Sequence, residues 1–265
     1  MRSLGGVLKQ FVTISAALLL SAAFANADTF VNGNFESGDF TGWTQGAGSL
    51  ISGQTTNNLV PSDYLPGGGS YNLSANASAV VTAGLDPNTD GKLNSVYSGK
   101  YSARVNDGNP DYSVGVISQT VKNYTASSIY FAWAAVLEDS HGPTDSDVFQ
   151  LTLEDNTTGT TLYNVTYNSA TAPPGLFTQS SSNWFYTNWQ VQNLDVSKLQ
   201  GDTFTLTLLA SDCPYGGHAG YVYLDGFGSV LPPPTAAPEP ASLSLVGASL
   251  AGALLLFRRK RANRS

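Results

Sequence analysis

Apolar and polar residues alternate along several stretches of this chain, with the period of two that is typical of half-buried β-strands. Residues 149–154 read FQLTLE and residues 203–208 read TFTLTL, so every second side chain is apolar in both. Residues 163–167 place Tyr, Val and Tyr at alternate positions. Residues 129–137 (IYFAWAAVL) are almost continuously apolar, which predicts a central strand buried on both faces.

Turn-forming residues separate these stretches, for example DPN at 86–88 and PPG at 173–175. The chain shows no internal repeat and almost no helical periodicity. Several short strands with turns between them predict an all-β sandwich. Residues 57–70 are polar and Gly-rich and predict a long surface loop, whereas the Pro-rich residues 231–237 predict a stiff linker.

The N-terminus has the layout of a secretory signal over residues 1–27. Arg2 and Lys9 precede an apolar run over residues 11–24, and the small residues Ala-Asn-Ala end the segment. This pattern predicts export and cleavage before Asp28. An uncleaved N-terminal anchor is the alternative.

The C-terminus carries a second pattern, which has three parts. These are, in order, Pro238-Glu239-Pro240, the uncharged and mostly apolar residues 241–257, and the basic cluster Arg258, Arg259, Lys260 and Arg261. A helix over the apolar part spans roughly 26 Å at about 1.5 Å per residue, which is at the short end of what crosses a bilayer. The basic cluster predicts that this end lies in the cytoplasm.

This order of parts resembles the PEP-CTERM sorting signal of exopolysaccharide-producing Gram-negative bacteria. In that family the segment, here residues 238–265, is a transient address that a membrane protease called exosortase recognises and cuts. The resemblance implies exosortase as a partner and transient anchoring in the inner membrane. The cell surface or the extracellular space is then the destination. The resemblance says nothing about an activity.

The net charge of the region between the two apolar ends indicates which classes of partner it can bind. Residues 28–237 contain 18 acidic and five basic side chains, a formal charge of about −13. Nucleic acid and anionic lipid surfaces are poor partners for such a field, whereas divalent cations and neutral sugars are better candidates. Cys213 is the only cysteine, so no intramolecular disulfide can stabilise the exported domain.

Four segments resemble galactose-binding-like jelly rolls and carbohydrate-binding modules. They are VNGNFESGDFTGW at 31–43, YSGKYSAR at 97–104, ISQTV at 117–121 and YVYLDGF at 221–227. Their order implies one exported domain over residues 28–230 with a jelly-roll β-sandwich fold. Carbohydrate binding is what the resemblance suggests, although a shared fold does not by itself confer a function.

Members of that architecture often carry a structural calcium ion beside the joined terminal strands. Carried over by position, the resemblance implies carboxylate ligands from Glu36 and Asp225 and carbonyl ligands from the turn at Gly99 and Lys100. Oxygen donors of this kind are those that calcium prefers. The alternative is that Glu36 and Asp225 are ordinary acids at strand ends.

Residues 211–221 (SDCPYGGHAGY) look like a motif of bacterial surface and adhesin-like domains. His218 in this motif and His141 are the only two histidines, and both lie in Gly-containing segments with acids nearby. One hypothesis joins His141, His218 and Asp212 in a transition-metal or ligand-contact cluster, although their spacing matches no compact zinc signature. Hydrogen-bonded loop histidines and a Cys213–His218 nucleophile pair are the alternatives.

Aromatic side chains crowd into residues 184–189 (WFYTNW). Exposed rings beside Asn and Ser suit sugars, whose C–H faces stack on the ring while their hydroxyls form hydrogen bonds. On this reading Trp184 or Tyr186 presents an exposed platform to a ligand. The alternative is that Trp189 and most of its neighbours belong to the core.

The sequence therefore predicts an exported, non-enzymatic protein of the cell surface or the extracellular matrix that binds polysaccharide. A structural or adhesive surface protein without a glycan ligand is the first alternative. A hydrolase is the second, and it requires His141, His218 and Asp212 to converge in one cleft. No nucleic-acid partner is expected.

Overall fold

The computed structural model describes residues 29–234. The predicted signal peptide at 1–27 and the predicted sorting signal at 238–265, with its membrane helix at 241–257, lie outside the described residues. Within the described range, no helix is both long enough and apolar enough to span a membrane.

The described residues form twelve β-strands and only short helices. The strands are β1 (Thr44–Ser49), β2 (Ala79–Thr82), β3 (Tyr101–Val105), β4 (Ser113–Val121), β5 (Ser128–Glu138), β6 (Val148–Asp155), β7 (Thr160–Asn168), β8 (Phe177–Gln179), β9 (Trp184–Thr187), β10 (Gln190–Asp195), β11 (Phe204–Ser211) and β12 (Gly220–Gly228). The helices are α1 (Pro61–Tyr64) and the 3-10 helices Leu73–Ala75, Pro87–Thr89 and Ser169–Thr171.

The strands make two antiparallel sheets packed face to face. The first sheet has the order β1-β4-β11-β6-β7. The second has the order β2-β3-β12-β5-β9-β8, and β10 pairs with β5 beside β9. Successive strands from β3 to β6 alternate between the sheets, as β11 and β12 do, which is a jelly-roll connection. The predicted all-β, jelly-roll sandwich is confirmed.

The core lies between the sheets and is built from the alternations seen in the sequence. In β6 and β11 the apolar side chains are buried while the Thr and Gln side chains between them are only partly covered. The main inward side chains are Phe149, Leu151, Leu153, Phe204, Leu206 and Leu208 from the first sheet, and Phe131, Trp133, Val222 and Leu224 from the second. Burying each such side chain contributes about 1.5–3 kcal/mol to folding.

Strand β5 is buried on both faces, as its continuous apolar sequence predicts. Phe131 and Trp133 point into the core, whereas Ala134 and Val136 point to the outer face of the second sheet. The Trp133 indole N–H donates a hydrogen bond of 2.9 Å to the Tyr163 hydroxyl, so its one polar atom is satisfied inside the sandwich.

The sequence predicts a surface loop over residues 57–70, and this prediction is wrong for Leu59 and Tyr64, although Val60 in the same segment is exposed. Leu59 and Tyr64 are buried against the outer face of the first sheet, where Leu209 belongs to the same cluster. Gly48 of β1 makes room for this layer, because a Cβ there would lie 2.7 Å from the Tyr64 ring.

The opening segment of the domain lies against the end of β12. The Phe227 amide donates a 2.9 Å hydrogen bond to the Gly33 carbonyl, and the Phe30 and Phe227 rings are 3.7 Å apart between centroids. A Cβ on Gly33 would overlap the Phe227 carbonyl, so glycine is required at this approach. The two ends of the domain are thereby held together.

Three acids lie where strands end at the opposite side of the sandwich: Glu138 ends β5, Asp147 precedes β6 and Asp212 follows β11. The Asp147 side chain is fully buried, and one of its oxygens has no hydrogen-bond partner among residues 29–234. The other accepts from the Ser169 hydroxyl at 3.3 Å. Burial raises the pKa of Asp147 well above its ordinary value, and the charges of Asp212 and Glu138 raise it further.

We expect the variant Asp147→Asn to flatten the pH dependence of stability. Because the folded-state pKa lies above the unfolded-state value, stability from this group is fully present below that unfolded value and is lost as pH rises towards the folded-state pKa. One proton corresponds to a slope of about 1.4 kcal/mol per pH unit. Urea unfolding of both proteins between about pH 5 and pH 7 measures the difference in slope. The exposed acid Glu154, changed to Gln, should keep the parental slope, and equal slopes for Asp147→Asn would contradict the prediction.

Candidate functional site

The outer face of the second sheet carries a cluster of aromatic side chains, which we call the aromatic face. Side chains alternate along a strand, so Tyr221 and Tyr223 of β12 point outward while Val222 and Leu224 enter the core. The buried members of the aromatic face are Leu93, Ala134, Val136, Trp184, Tyr186, Ala219, Tyr221 and Tyr223, with Val81 and Trp189 packed at its margin.

Residues 83–96, here called the cover loop, lie over the aromatic face. Asp86 is buried in this loop and accepts hydrogen bonds from two hydroxyls, Tyr221 at 2.8 Å and Tyr223 at 2.8 Å. Burial raises the pKa of both tyrosines, and the negative charge of Asp86 raises it further. Leu93 adds an apolar contact from the same loop. The aromatic face is therefore closed to solvent over most of its area.

The sequence placed an exposed sugar platform at Trp184 or Tyr186, and the structure contradicts that exposure. Trp184 is 7% exposed and Tyr186 is 4% exposed. The Trp184 ring instead packs on Tyr221, with 5.7 Å between ring centroids. Both side chains belong to the covered aromatic face, so neither presents a free ring to a ligand.

An open cleft of about 290 Å³ begins at the edge of the cover loop. The rings of Trp189 and Tyr97 stand in its wall, half-buried and edge to face, with 5.7 Å between centroids. Asn94, Asn188 and Lys92 also line the cleft, and the side chains of Asn188 and Lys92 are exposed there. The cleft thus combines two accessible aromatic rings with several polar groups.

Hydrogen bonding fixes the position of the Trp189 ring in this cleft. Its indole N–H donates to the Asn94 carbonyl at 2.9 Å, which anchors the ring to the cover loop. The Asn94 side-chain nitrogen is itself buried and has no hydrogen-bond partner within residues 29–234. The Asn94 amide oxygen accepts from the Gly84 amide at 3.2 Å and the Val96 amide at 3.2 Å, so this side chain holds the cover loop in shape beside the cleft.

The predicted calcium ligands Glu36 and Asp225 converge on one turn, residues 97–101. Asp225 is buried and accepts from the amides of Tyr97 at 3.1 Å and Ser98 at 2.9 Å. Glu36 accepts from the Lys100 amide at 2.8 Å. Burial raises the pKa of Asp225 to about 7 against the lowering effect of these amides, and the charge of Glu36 raises it further. Two carboxylates are therefore held near each other at the end of β12.

This donor set fits calcium in part. The two carboxylates are the hard oxygen ligands that the ion prefers. The predicted carbonyl ligand at Lys100 does not fit as expected, because Lys100 turns its N–H towards Glu36 and its carbonyl accepts from the Ala83 amide at 3.3 Å. Gly99 has a φ of +72°, and a Cβ there would clash with the Glu36 carboxylate. Glycine is thus needed for the close approach of Glu36 to the turn.

The two histidines meet at the opposite end of β12. The rings of His141 and His218 lie 5.0 Å apart between centroids and nearly perpendicular to each other. The register of the second sheet explains this meeting, because Gly220 at the start of β12 pairs with Leu137 near the end of β5. The loops that leave these two positions are therefore neighbours.

Asp212 does not join the histidines, so its predicted place in their cluster is wrong. One of its oxygens accepts from the Asn106 side-chain amide at 2.9 Å, and the other accepts from the Ser113 amide at 2.9 Å and the Ser113 hydroxyl at 3.1 Å. The next residue, Cys213, takes its place beside His218. The sequence signal for this was the spacing of Cys213 and His218 within one Gly-rich loop.

No protein-family model and no curated protein matches this chain. Among solved structures, the chain is similar to a family 61 carbohydrate-binding module in complex with β-1,4-galactotriose, at 13% identity over 76% of this chain and 96% of that chain (TM-score 0.38). It is also similar to a family 27 module of Caldicellulosiruptor saccharolyticus in complex with mannohexaose, at 12% identity over 76% and 96% (TM-score 0.38).

A third similar structure is the K2 cleaved adhesin domain of Lys-gingipain, at 14% identity over 74% of this chain and 94% of that chain (TM-score 0.35). At these identities and TM-scores the likeness concerns the β-sandwich fold alone. It carries no argument about a ligand, so the function has to be argued from the residues of this chain.

We expect the variant Asp86→Ala to lower the free energy of unfolding by about 2–5 kcal/mol, because it leaves two buried tyrosine hydroxyls without their acceptor. Denaturant unfolding measures this loss. Asp90→Ala, in the same loop, is the matched control, since Asp90 bonds to exposed groups at Ser181. Its effect should be much smaller, and equal effects would show that Asp86 does not fasten the cover loop.

Proposed function

We propose that this protein is an exported, non-enzymatic module that binds polysaccharide in the cleft between Trp189 and Tyr97. The observation that carries the proposal is the lining of that cleft: the half-buried rings of Trp189 and Tyr97 beside the exposed amide of Asn188. Ring faces suit the C–H faces of sugars, and amides suit their hydroxyls. A concave site with convergent polar groups is the usual form of a small-ligand site.

Charge favours a neutral or weakly charged glycan. The region over residues 28–237 has a formal charge of about −13, which repels polyanions at long range. Lys92 at the rim of the cleft is already paired with Asp90, at 3.6 Å between the ammonium and a carboxylate oxygen. The cleft therefore offers hydrogen bonding and stacking rather than a strong positive field.

The arrangement of the histidines supports a non-enzymatic role. The hydrolase hypothesis required His141, His218 and Asp212 to meet in one cleft. Asp212 is instead enclosed by Asn106 and Ser113, so it can neither orient an imidazole nor act as a base beside one.

We also propose that the protein is exported through the signal at residues 1–27 and sorted through residues 238–265 with an exosortase-type protease. The support is the agreement of two independent sequence patterns at the two ends. A transient inner-membrane form would then precede release to the cell surface or the extracellular space. Cell fractionation of a tagged full-length chain tests this route, and retention in the cytosol would contradict it.

We expect Trp189→Ala to weaken glycan binding about tenfold or more, because a ring–sugar stack of ~1.5 kcal/mol corresponds to roughly that factor. A glycan array followed by calorimetry on the best neutral ligand measures the change. Trp189→Phe should retain most of the binding, since it keeps a ring. Asn188→Ala tests the polar lining from an exposed position, where folding is not at risk.

The matched control is Tyr71→Ala, a partly buried aromatic residue outside the cleft. Its binding should equal that of the parent protein. Equal binding by Trp189→Ala would place the glycan elsewhere. No binding of any glycan, including the polysaccharide of the producing cell, would favour the structural or adhesive alternative.

We further propose that Glu36 and Asp225 hold a structural calcium ion at the end of β12. At calcium concentrations near 100 times the dissociation constant, the ion would stabilise the fold by about 2.7 kcal/mol, or about 5–10 °C in melting temperature. EDTA should remove this increment. Glu36→Gln should melt at the same temperature with calcium and with EDTA, whereas Glu154→Gln should behave as the parent. A melting temperature that ignores EDTA would contradict the calcium site.

A further inference from the structure

We propose that His141, Cys213 and His218 form a binding site for one transition-metal ion of the zinc–copper class. The site is separate from the glycan cleft and from the two carboxylates at the far end of β12. One ligand atom from each of the three side chains lies within 4.8 Å of those of the other two. The residues come from two different loops, so the fold assembles the site from parts that the chain keeps far apart.

One of the ligand–ligand distances matches that of a tetrahedral ion, and all of them lie within 4.8 Å. Bonds of about 2.0–2.1 Å to nitrogen and about 2.3 Å to sulfur place ligand atoms about 3.3–3.6 Å from one another. The Cys213 sulfur lies 3.5 Å from His218 Nδ1, which already matches this separation. His141 is exposed, so its ring can make the short remaining approach without disturbing the core.

The loop between β11 and β12 is built to hold Cys213 and His218 together. The Cys213 amide donates to the His218 carbonyl at 3.2 Å, which closes the loop at its base. Gly216 and Gly217 have φ values of +75° and +90°, a left-handed backbone that few other residues adopt at low cost. The Tyr112 hydroxyl donates to the Tyr215 carbonyl at 3.3 Å and ties the loop to the start of β4.

Two neighbouring residues, Asp212 and Tyr215, help to position the three ligand side chains. Asp212 anchors the loop from inside through Asn106 and Ser113, so the residue after it faces the histidines. The Tyr215 ring packs edge to face on His141, with 5.0 Å between centroids. Cys213 is fully buried while His141 is exposed, so an ion can enter from solvent and still bind a protected thiolate.

The ligand set decides the class of ion. Thiolate and imidazole suit zinc and copper, whereas calcium and magnesium prefer carboxylates and carbonyls. A Cys–His nucleophile is the competing interpretation of the same pair. It would need a carboxylate or amide to orient the imidazole, but the group beside His218 is a second imidazole. Three ligands leave one position open to solvent or to a group from a partner.

The test is metal binding by the purified full chain, reduced and freed of metal. Zn²⁺, Cu⁺ and Ca²⁺ are added separately, and bound metal is measured after equilibrium dialysis. We expect one equivalent of zinc or copper that excess calcium does not displace, and competition between the two ions identifies the preferred one. Co²⁺ in place of zinc should give a thiolate charge-transfer absorption, which Cys213→Ser abolishes.

If Cys213→Ser fails to fold, the variant His141→Ala provides the test, because removing the exposed His141 side chain does not disturb the core. It should lower metal affinity by at least about 100-fold and leave the melting temperature of the metal-free chain unchanged. Asp139→Asn, an acid two residues away, is the matched control and should bind as the parent, as should Glu36→Gln.

Three results would overturn the proposal. The first is the absence of stoichiometric zinc or copper binding. The second is equal affinity of His141→Ala and the parent protein. The third is a cobalt absorption that persists in a folded Cys213→Ser variant. None of these results would bear on glycan binding at Trp189, so failure of one proposal is distinguishable from failure of the other.

Discussion

Two tyrosine hydroxyls, those of Tyr221 and Tyr223, share one buried carboxylate at Asp86, and the second sheet depends on this contact for its outer face. The Asp86 carboxylate and the two tyrosine hydroxyls each satisfy the hydrogen-bonding groups of the other. Without this contact, the buried Asp86 carboxylate would keep the Asn88 amide as a donor but lose both hydroxyls, and the two hydroxyls would lack an acceptor under the cover loop. With it, a large aromatic surface that would otherwise face water becomes a second apolar layer.

The cover also decides where a ligand can bind. Trp184 and Tyr186 are buried by the cover loop and its neighbours. They therefore do not present the flat aromatic strip that a sugar chain would need. At the edge of the cover loop, where the Asn94 carbonyl anchors Trp189, the half-buried rings of Trp189 and Tyr97 and the exposed Asn188 line an open cleft. The hydrogen bonds of Asp86 thus set both the stability of this face and the place of its functional surface.

Local patterns allowed the fold to be predicted because they report which face of each strand is apolar. Residues 149–154 and 129–137 behave as their periodicity indicates. The same patterns could not show that the outer face of β12 is covered, because Asp86 lies 135 residues from Tyr221 and no local signal links them. Trp184 was for that reason assigned to a surface that it does not reach.

The sequence also does not show in which direction side chains point at the ends of strands. Asp212 and Cys213 are neighbours, and a shift of one residue exchanges the sides on which two such side chains lie. The sequence indicated that chemistry was concentrated near His218, but it did not indicate which neighbour turns inward. The network of Asn106 and Ser113 decides this by capturing the carboxylate, and that network depends on contacts about 100 residues apart.

Strand β12 organises the chemistry at both ends of the sandwich. Its first residue, Gly220, pairs with Leu137, and this register brings the nitrogen and sulfur atoms of His141, Cys213 and His218 together. Near its other end Asp225 meets Glu36 at the turn of residues 97–101, where both carboxylates accept hydrogen bonds from backbone amides. The length of β12 therefore separates the imidazole and thiol groups at its first end from the two carboxylates near its other end. Because zinc or copper and calcium prefer opposite ligand sets, ions of the two classes would not compete for the same end.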